Sequence, residues 1–184
     1  GVHVGVYDSG TDYNHEDLAA NYDSSLHVVD GANNPIDPGV PNGSADNPHG
    51  TATAGLIGAA MNNGVGGTGV AWGTSLTAVN IFNPVLYGYV NAADPSGFMD
   101  VAGQAAGLFD ITSNSWGATP LFGSYQSLTN GSFADGLDEV YGLNAANGRG
   151  GLGTITVQAA GNDNLDANGD GVNASRFTIT VAAT

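Results

Sequence analysis

Three residues in this chain have the types and settings that acid–base chemistry needs. Asp8 closes the apolar run Val2–Tyr7 and is followed by Ser9-Gly10. His49 stands 41 positions further on, follows Pro48 and opens the small-residue run Gly50-Thr51-Ala52. Asn162 follows a further apolar run, in Ala159-Ala160-Gly161-Asn162. A carboxylate bonded to an imidazole fixes its tautomer and steadies its protonated form. The imidazole can then take the proton of a weak nucleophile such as a hydroxyl. A side-chain amide can hold the oxyanion that forms. Singly, Asp8 and Asn162 read as turn residues and His49 as a helix-capping or surface histidine. Together, in this order and each at a strand or helix edge, they point to a catalytic constellation.

The elements that must position them can be read from pattern. Short runs rich in β-branched residues occur at Val2–Tyr7, Leu76–Phe82, Ile111–Ser115, Thr154–Ala159 and Phe177–Ala182. Each is apolar on both faces, as buried parallel strands are. Helical stretches lie between them at Thr51–Met61, roughly Met99–Leu108 and roughly Phe133–Ala146. The alternation predicts a single α/β domain over 1–184, its mainly parallel sheet covered on both sides. Segments Asp30–Pro48 and Gly161–Ser175, rich in Asp, Asn, Gly and Pro, read as surface loops.

Composition excludes several classes. The 184 residues carry a net charge of −15, with 2 Lys+Arg against 17 Asp+Glu. Nothing here would neutralise phosphates, so nucleic acid is not an expected partner. Cations or a basic peptide suit such a surface. There is no cysteine, hence no disulfide and no thiolate metal site. No apolar run reaches the roughly 18 residues of a membrane span. The four histidines lack zinc spacing. Gly64-Val65-Gly66-Gly67-Thr68-Gly69 fits Gly-x-Gly-x-x-Gly but follows a helix instead of opening one, which argues against a dinucleotide site. The chain begins at Gly1, almost directly on a strand, and is expected to be a piece of a longer protein.

The segments Asp8-Ser9-Gly10, His49-Gly50-Thr51, Ser115-Trp116-Gly117 and Ala160-Gly161-Asn162 resemble the signatures of subtilisin-like serine proteases. The likeness is greatest to the kexin/furin-like proprotein convertase branch. It is carried by Asn14-His15-Glu16-Asp17-Leu18, Asn21-Tyr22-Asp23, Asn62-Asn63-Gly64-Val65-Gly66-Gly67 and Gly148-Arg149-Gly150-Gly151-Leu152-Gly153. The resemblance implies a three-layer subtilisin-like fold, incomplete at both ends here, and a secreted endopeptidase acting on peptide or protein substrates. It implies Asp8 and His49 as charge-relay members, Asn162 as oxyanion donor, and Ser115, Trp116 and Gly117 as the wall along which substrate backbone pairs. The family's serine lies in a Gly-Thr-Ser-x-x-x-Pro segment. Gly73-Thr74-Ser75 lacks the proline and precedes Asn162, so Ser75 is not that residue. The nucleophile is expected beyond Thr184.

Calcium is the implied cofactor. The resemblance places one ion at Asp17, Asn63 and the carbonyl oxygens of Ala60, Val65 and Gly67, an all-oxygen set that suits Ca²⁺. A glycine-rich turn without metal is the alternative. Asp166-Ala167-Asn168-Gly169-Asp170-Gly171 opens like a calcium loop, but Phe177 stands where a bidentate Glu would close it. Local binding through Asp166 and a plain Asx-rich turn both remain open. Convertases read basic residues with acids, and Asp46 and Asp170 match two of those positions. Ser9 and Pro120 stand where two others would be. Arg or Lys before the cut is therefore expected, with a relaxed dibasic requirement. The rival reading is a non-catalytic, calcium-binding structural or adhesive module of the same fold.

Overall fold

The computed structural model describes residues 1–39, 48–82, 96–117, 127–128 and 131–183. Five parallel strands form one sheet in the order β2-β1-β3-β6-β7: β1 (His3–Asp8), β2 (Ser75–Asn80), β3 (Ile111–Asn114), β6 (Ile155–Ala159) and β7 (Thr178–Val181). A small antiparallel pair, β4 (Ser127–Leu128) and β5 (Gly131–Ser132), stands apart from it. All five expected strands of the main sheet are present, within two residues of the expected ends.

β1 is an interior strand between β2 and β3, and five of its six residues are buried. Its side chains alternate between two faces. Tyr7 points to one, joined by Val79 of β2 and by Phe109, which precedes β3. Three helices cover this Tyr7 face: α2 (Ser96–Gly103), α3 (Ala105–Leu108) and α4 (Phe133–Gly151). In α4, Leu137, Tyr141 and Asn144 recur at helical spacing and are 0%, 4% and 2% exposed. Asn144 Nδ2 ties α4 to the carbonyl of Ala102 at 2.9 Å.

Val4, Val6 and Asp8 point the other way, toward α1 (His49–Gly58). This helix is built of small residues, and its buried positions are Gly50, Ala54 and Gly58. Their lack of bulk lets the helix axis approach β1 and β2 closely, with Ala54 against Val4, Val6, Leu18 and Leu76. Among the described residues, coverage stops there. Over β3, β6 and β7 the Asp8 face carries Ile155, Ile179 and Val181 at 40%, 57% and 55% exposure. A groove of about 580 Å³ runs along it, lined by Val4, Ile57, Trp72, Ile111 and Val157 among others. The expectation of a sheet covered on both sides therefore holds for one face and half of the other.

Two helices depart from expectation. The single helix expected near Met99–Leu108 is broken at Gln104, whose side chain clamps Val29: Nε2 donates to its carbonyl and Oε1 accepts from its N–H, each at 2.9 Å. Gly103, a weak helix former, sits beside the break. α4 runs past Ala146 into a left-handed turn at Arg149 (φ 53°) and Gly150 (φ 65°). There Arg149 Nε bonds Asp110 Oδ1 at 3.0 Å, fastening the end of α4 to the start of β3.

Candidate active site

Parallel register brings the chemistry-bearing segments to one edge. Asp8 pairs with Asn80 at the carboxyl ends of β1 and β2, and Asn114 pairs with Gln158 at those of β3 and β6. Strand order reverses at β1, with β2 on one side and β3 on the other, which is where open parallel sheets place their sites.

Asp8 is 2% exposed, and its Oδ1 lies 2.7 Å from His49 Nδ1. The His49 side chain is 58% exposed, leaving Nε2 as the second ring nitrogen. Ser9 N–H donates to the same Oδ1 at 2.7 Å, and the Ser9 hydroxyl accepts from Gly50 N–H at 3.2 Å. Ser9 thus ties the carboxylate to the first turn of the helix that carries the imidazole. Asp8 Oδ2 is buried with no hydrogen-bond partner among the described residues.

Two glycines make the approach possible. Gly10 turns with φ 98°, and a Cβ on it would lie 2.9 Å from Asn80 Nδ2 and 2.8 Å from Gly39 O. A Cβ on Gly50 would collide with the Gly10 carbonyl. Asn80, 1% exposed, donates to Gly39 O at 3.2 Å and accepts from Phe82 N–H at 3.0 Å, so it organises the chain around this turn.

Asn162 stands exposed just past β6, after Gly161 at φ 95°. It follows a strand two places from β1, roughly 10 Å across the sheet at the usual strand spacing. Between them, Ser115, Trp116 and Gly117 continue from β3. Phe98 packs edge-on against Trp116, with centroids 5.5 Å apart. Asp170 is 7% exposed; its Oδ1 accepts from Val172 N–H at 3.1 Å, and its Oδ2 lies 3.5 Å from where a Gly117 Cβ would be. Burial, with Asp170 adding to it, pushes the Tyr141 hydroxyl well above its usual range. Asp46 lies outside the described residues, as does Pro120.

Asp17 is brought together with Asn63 and Gly67. Its Oδ1 accepts from Asn63 Nδ2 at 2.7 Å and its Oδ2 from Gly67 N–H at 2.9 Å. The Asn63 bond first, then the Gly67 bond, hold its pKa below the usual carboxylate value. A Cβ on Gly66 would collide with this carboxylate, so the loop wraps it. Asn63 Oδ1 accepts from Val65 N–H at 3.2 Å, and Ala60 N–H donates to the Asp17 carbonyl at 2.8 Å. The groups that face this carboxylate are two N–H donors, with the Asn63 amide oxygen turned to Val65 N–H as in a glycine-rich turn, and each carboxylate oxygen keeps a lone pair that a hard cation could use. Among the described residues no three acidic or histidine side chains converge as a metal centre. Asp166 is exposed and caps a short 3-10 turn, Ala167–Gly169, accepting from Asn168 N–H at 3.0 Å and Asn168 Nδ2 at 2.9 Å.

Sequence reasoning passed over Ser9 as a binding group, Asn80 and Gln158. Gln158 had left a signal, a long polar residue inside the apolar run before Asn162.

The fold and this edge define a class, and comparison agrees with it. The subtilase family profile matches residues 1–184, and the chain belongs to that family. Neuroendocrine convertase 2 of Bos taurus is 33% identical over 187 residues, covering 98% of this chain and 27% of that protein. PC3-like endoprotease variant B of Hydra vulgaris is 35% identical over 184 residues, covering 98% and 24%. The chain therefore spans about a quarter of the length of these relatives, which are of the convertase type that the sequence motifs resemble. In fold, it is similar to the serine protease of Aeromonas sobria crystallised with its chaperone (TM-score 0.71, 20% identity, 98% of this chain and 31% of that one). It is also similar to a protease of Pseudoalteromonas arctica (TM-score 0.66, 24% identity, 100% and 56%). No described helix is long and apolar enough to cross a membrane.

Proposed function

We propose that this chain is the acid–base and oxyanion-binding part of a secreted serine endopeptidase. The observation that carries the reading is the 2.7 Å contact between the buried Asp8 carboxylate and an imidazole whose ring stays open to solvent. Asp8 accepts from His49 Nδ1–H, so Nε2 is the nitrogen left to take a proton. The serine hydroxyl is supplied by a part of the protein outside this chain, which spans about a quarter of the length of its convertase-type relatives. His49 takes the serine proton as Oγ attacks the scissile carbonyl carbon, and the Asn162 amide receives the oxyanion. His49 then passes the proton to the leaving amine, and water resolves the acyl-enzyme by the same route reversed.

Substrate backbone pairs along Ser115–Gly117. Asp170, with Asp46, favours Arg or Lys before the cut. Ser9 hydrogen-bonds inward and Pro120 carries no charge, so a second basic residue is not required. Calcium, when bound at Asp17, Asn63 and the carbonyls of Ala60, Val65 and Gly67, supplies positive charge that stiffens the loop after α1.

The test is hydrolysis of a peptide library by the full-length protein, wild type and His49→Ala. Cleavage after Arg or Lys is expected, with the variant down by about 10⁶ in kcat, the magnitude measured for subtilisin. A full-length wild type that neither cleaves nor is labelled by a serine-directed phosphonate sinks the reading. An apolar preference unchanged by Asp170→Ala sinks only its specificity.

A further inference from the structure

The ladder between β3 and β6 ends at Asn114 and Gln158. Beyond it the chains fork, one as Ser115-Trp116-Gly117 and the other as Ala159-Ala160-Gly161-Asn162. Two buried side-chain amides bracket the fork and cross it in opposite senses. Asn114 Nδ2 donates back to Val157 O at 3.1 Å, and Gln158 Nε2 donates forward to Trp116 O. They are 3% and 0% exposed.

Gln158 is a poor choice for filling a core. Its Oε1 is buried with no hydrogen-bond partner among the described residues, a desolvation penalty that an apolar side chain of similar size would avoid. What the residue gains is one bond to one carbonyl, on the first stretch of chain that no strand pairing holds. On that stretch the Trp116 ring rests on Phe98, and Asp170 Oδ2 faces Gly117. The Gln158 amide is thus the group that sets where the Trp116 peptide lies relative to the strand leading to Asn162.

We infer that Gln158 is a positioning residue that fixes the slot between 115–117 and 159–162, and with it how substrate seats. It acts through Trp116 and touches no reacting atom. The inference rests on the peptidase reading above.

Full-length enzyme carrying Gln158→Met or Gln158→Glu tests it. Gln158→Met removes the donor at similar volume. It should lower kcat/KM about tenfold, mainly through KM, and flatten the preference at the residue before the cut, with a thermal midpoint unchanged or raised. Gln158→Glu, once protonated, can donate to Trp116 O again. Expressed as a ratio to wild type at the same pH, which cancels the pH dependence of the shared general base, its kcat/KM should climb toward one as pH falls, whereas the Gln158→Met ratio stays constant. Wild-type kcat/KM and preference in a folded Gln158→Met enzyme overturn the inference; if that variant does not fold, a Gln158→Glu enzyme without the acid recovery does so. An inactive wild type is a different failure, that of the peptidase reading itself.

Discussion

The two faces of one strand, β6, are inverted with respect to ordinary burial. Thr156 and Gln158 lie under α4 on the Tyr7 face at 2% and 0% exposure, whereas Ile155 on the Asp8 face is 40% exposed. β7 repeats the pattern, with Thr178 and Thr180 half-buried and Ile179 and Val181 more than half exposed. Scattered surface apolar residues mean little, but a sheet face with its polar side in and its apolar side out is informative. It teaches that, among the described residues, helices cover the Tyr7 face, whereas the Asp8 face is covered only over β1 and β2.

The sharpest test is energetic. Leu137→Ala on the Tyr7 face should lower unfolding stability by about 2–5 kcal/mol, the range for emptying a packed core site. Ile179→Ala on the open face should change it by less than about 0.5 kcal/mol in the 184-residue chain. In a longer protein that covers this face, the Ile179→Ala loss should rise to about 2 kcal/mol or more. Urea titration of the variants measures all three, and equal losses in the short chain would erase the distinction between the faces.

A smaller effect concerns the loop that follows α1 on the half-covered side. A ligand binding only the native state adds about 2.7 kcal/mol at a hundredfold excess over its Kd. Calcium should raise the wild-type melting temperature and leave Asp17→Ala nearly unmoved. A wild-type midpoint indifferent to chelator removes calcium from the account.

The least effect belongs to the β2 edge, where both faces end. Tyr22 OH bonds His27 Nε2 at 2.9 Å and accepts from Ala78 N–H at 3.3 Å, while Tyr13 stacks on Tyr22. Burial lowers the His27 pKa, with Asp37 and Asp23 pushing back. Its folded value therefore lies below the unfolded one of about 6.5. The associated stability is present above that pH and is lost as pH falls through the folded value. His27→Gln keeps an acceptor for Tyr22 and should flatten this loss, which partial exposure holds well under 1 kcal/mol. The lowered carboxyls of Asp17, Asp23, Asp30 and Asp110 lose their share only below about pH 4. A wild type and a His27→Gln variant with the same profile between pH 7 and 5 would discount the edge.

The strands and the Asp8–His49 pair were legible because parallel strands buried on both faces read as apolar runs with a site at their ends. The open face was not legible. The expectation that every run is apolar on both faces fails for Ile155-Thr156-Val157-Gln158 and Thr178-Ile179-Thr180-Val181, which alternate, and alternation says which residues share a face but not which face a helix will cover. The break at Gln104 was hidden for a different reason, since the residue is a good helix former with helical backbone angles and its side-chain partner, Val29, is 75 residues away. Ser9 looked like a lost acid and proved to be a hydroxyl spent on Gly50. Asp46 lies outside the described residues.

The interior placement of β1 has a kinetic side. The strand is held from both flanks by distant segments: Val2 O accepts from Thr74, 72 residues on, and His3 N–H donates to Asp110, 107 residues on. Closing such long loops precedes the contacts that reward it, so folding is slow for topological reasons. During that interval the strand that ends in Asp8 has no neighbours, and the acid–base pair has no fixed geometry. The Asp8–His49 geometry is consequently expected to form late, once segments 72 and 107 residues away have closed on β1.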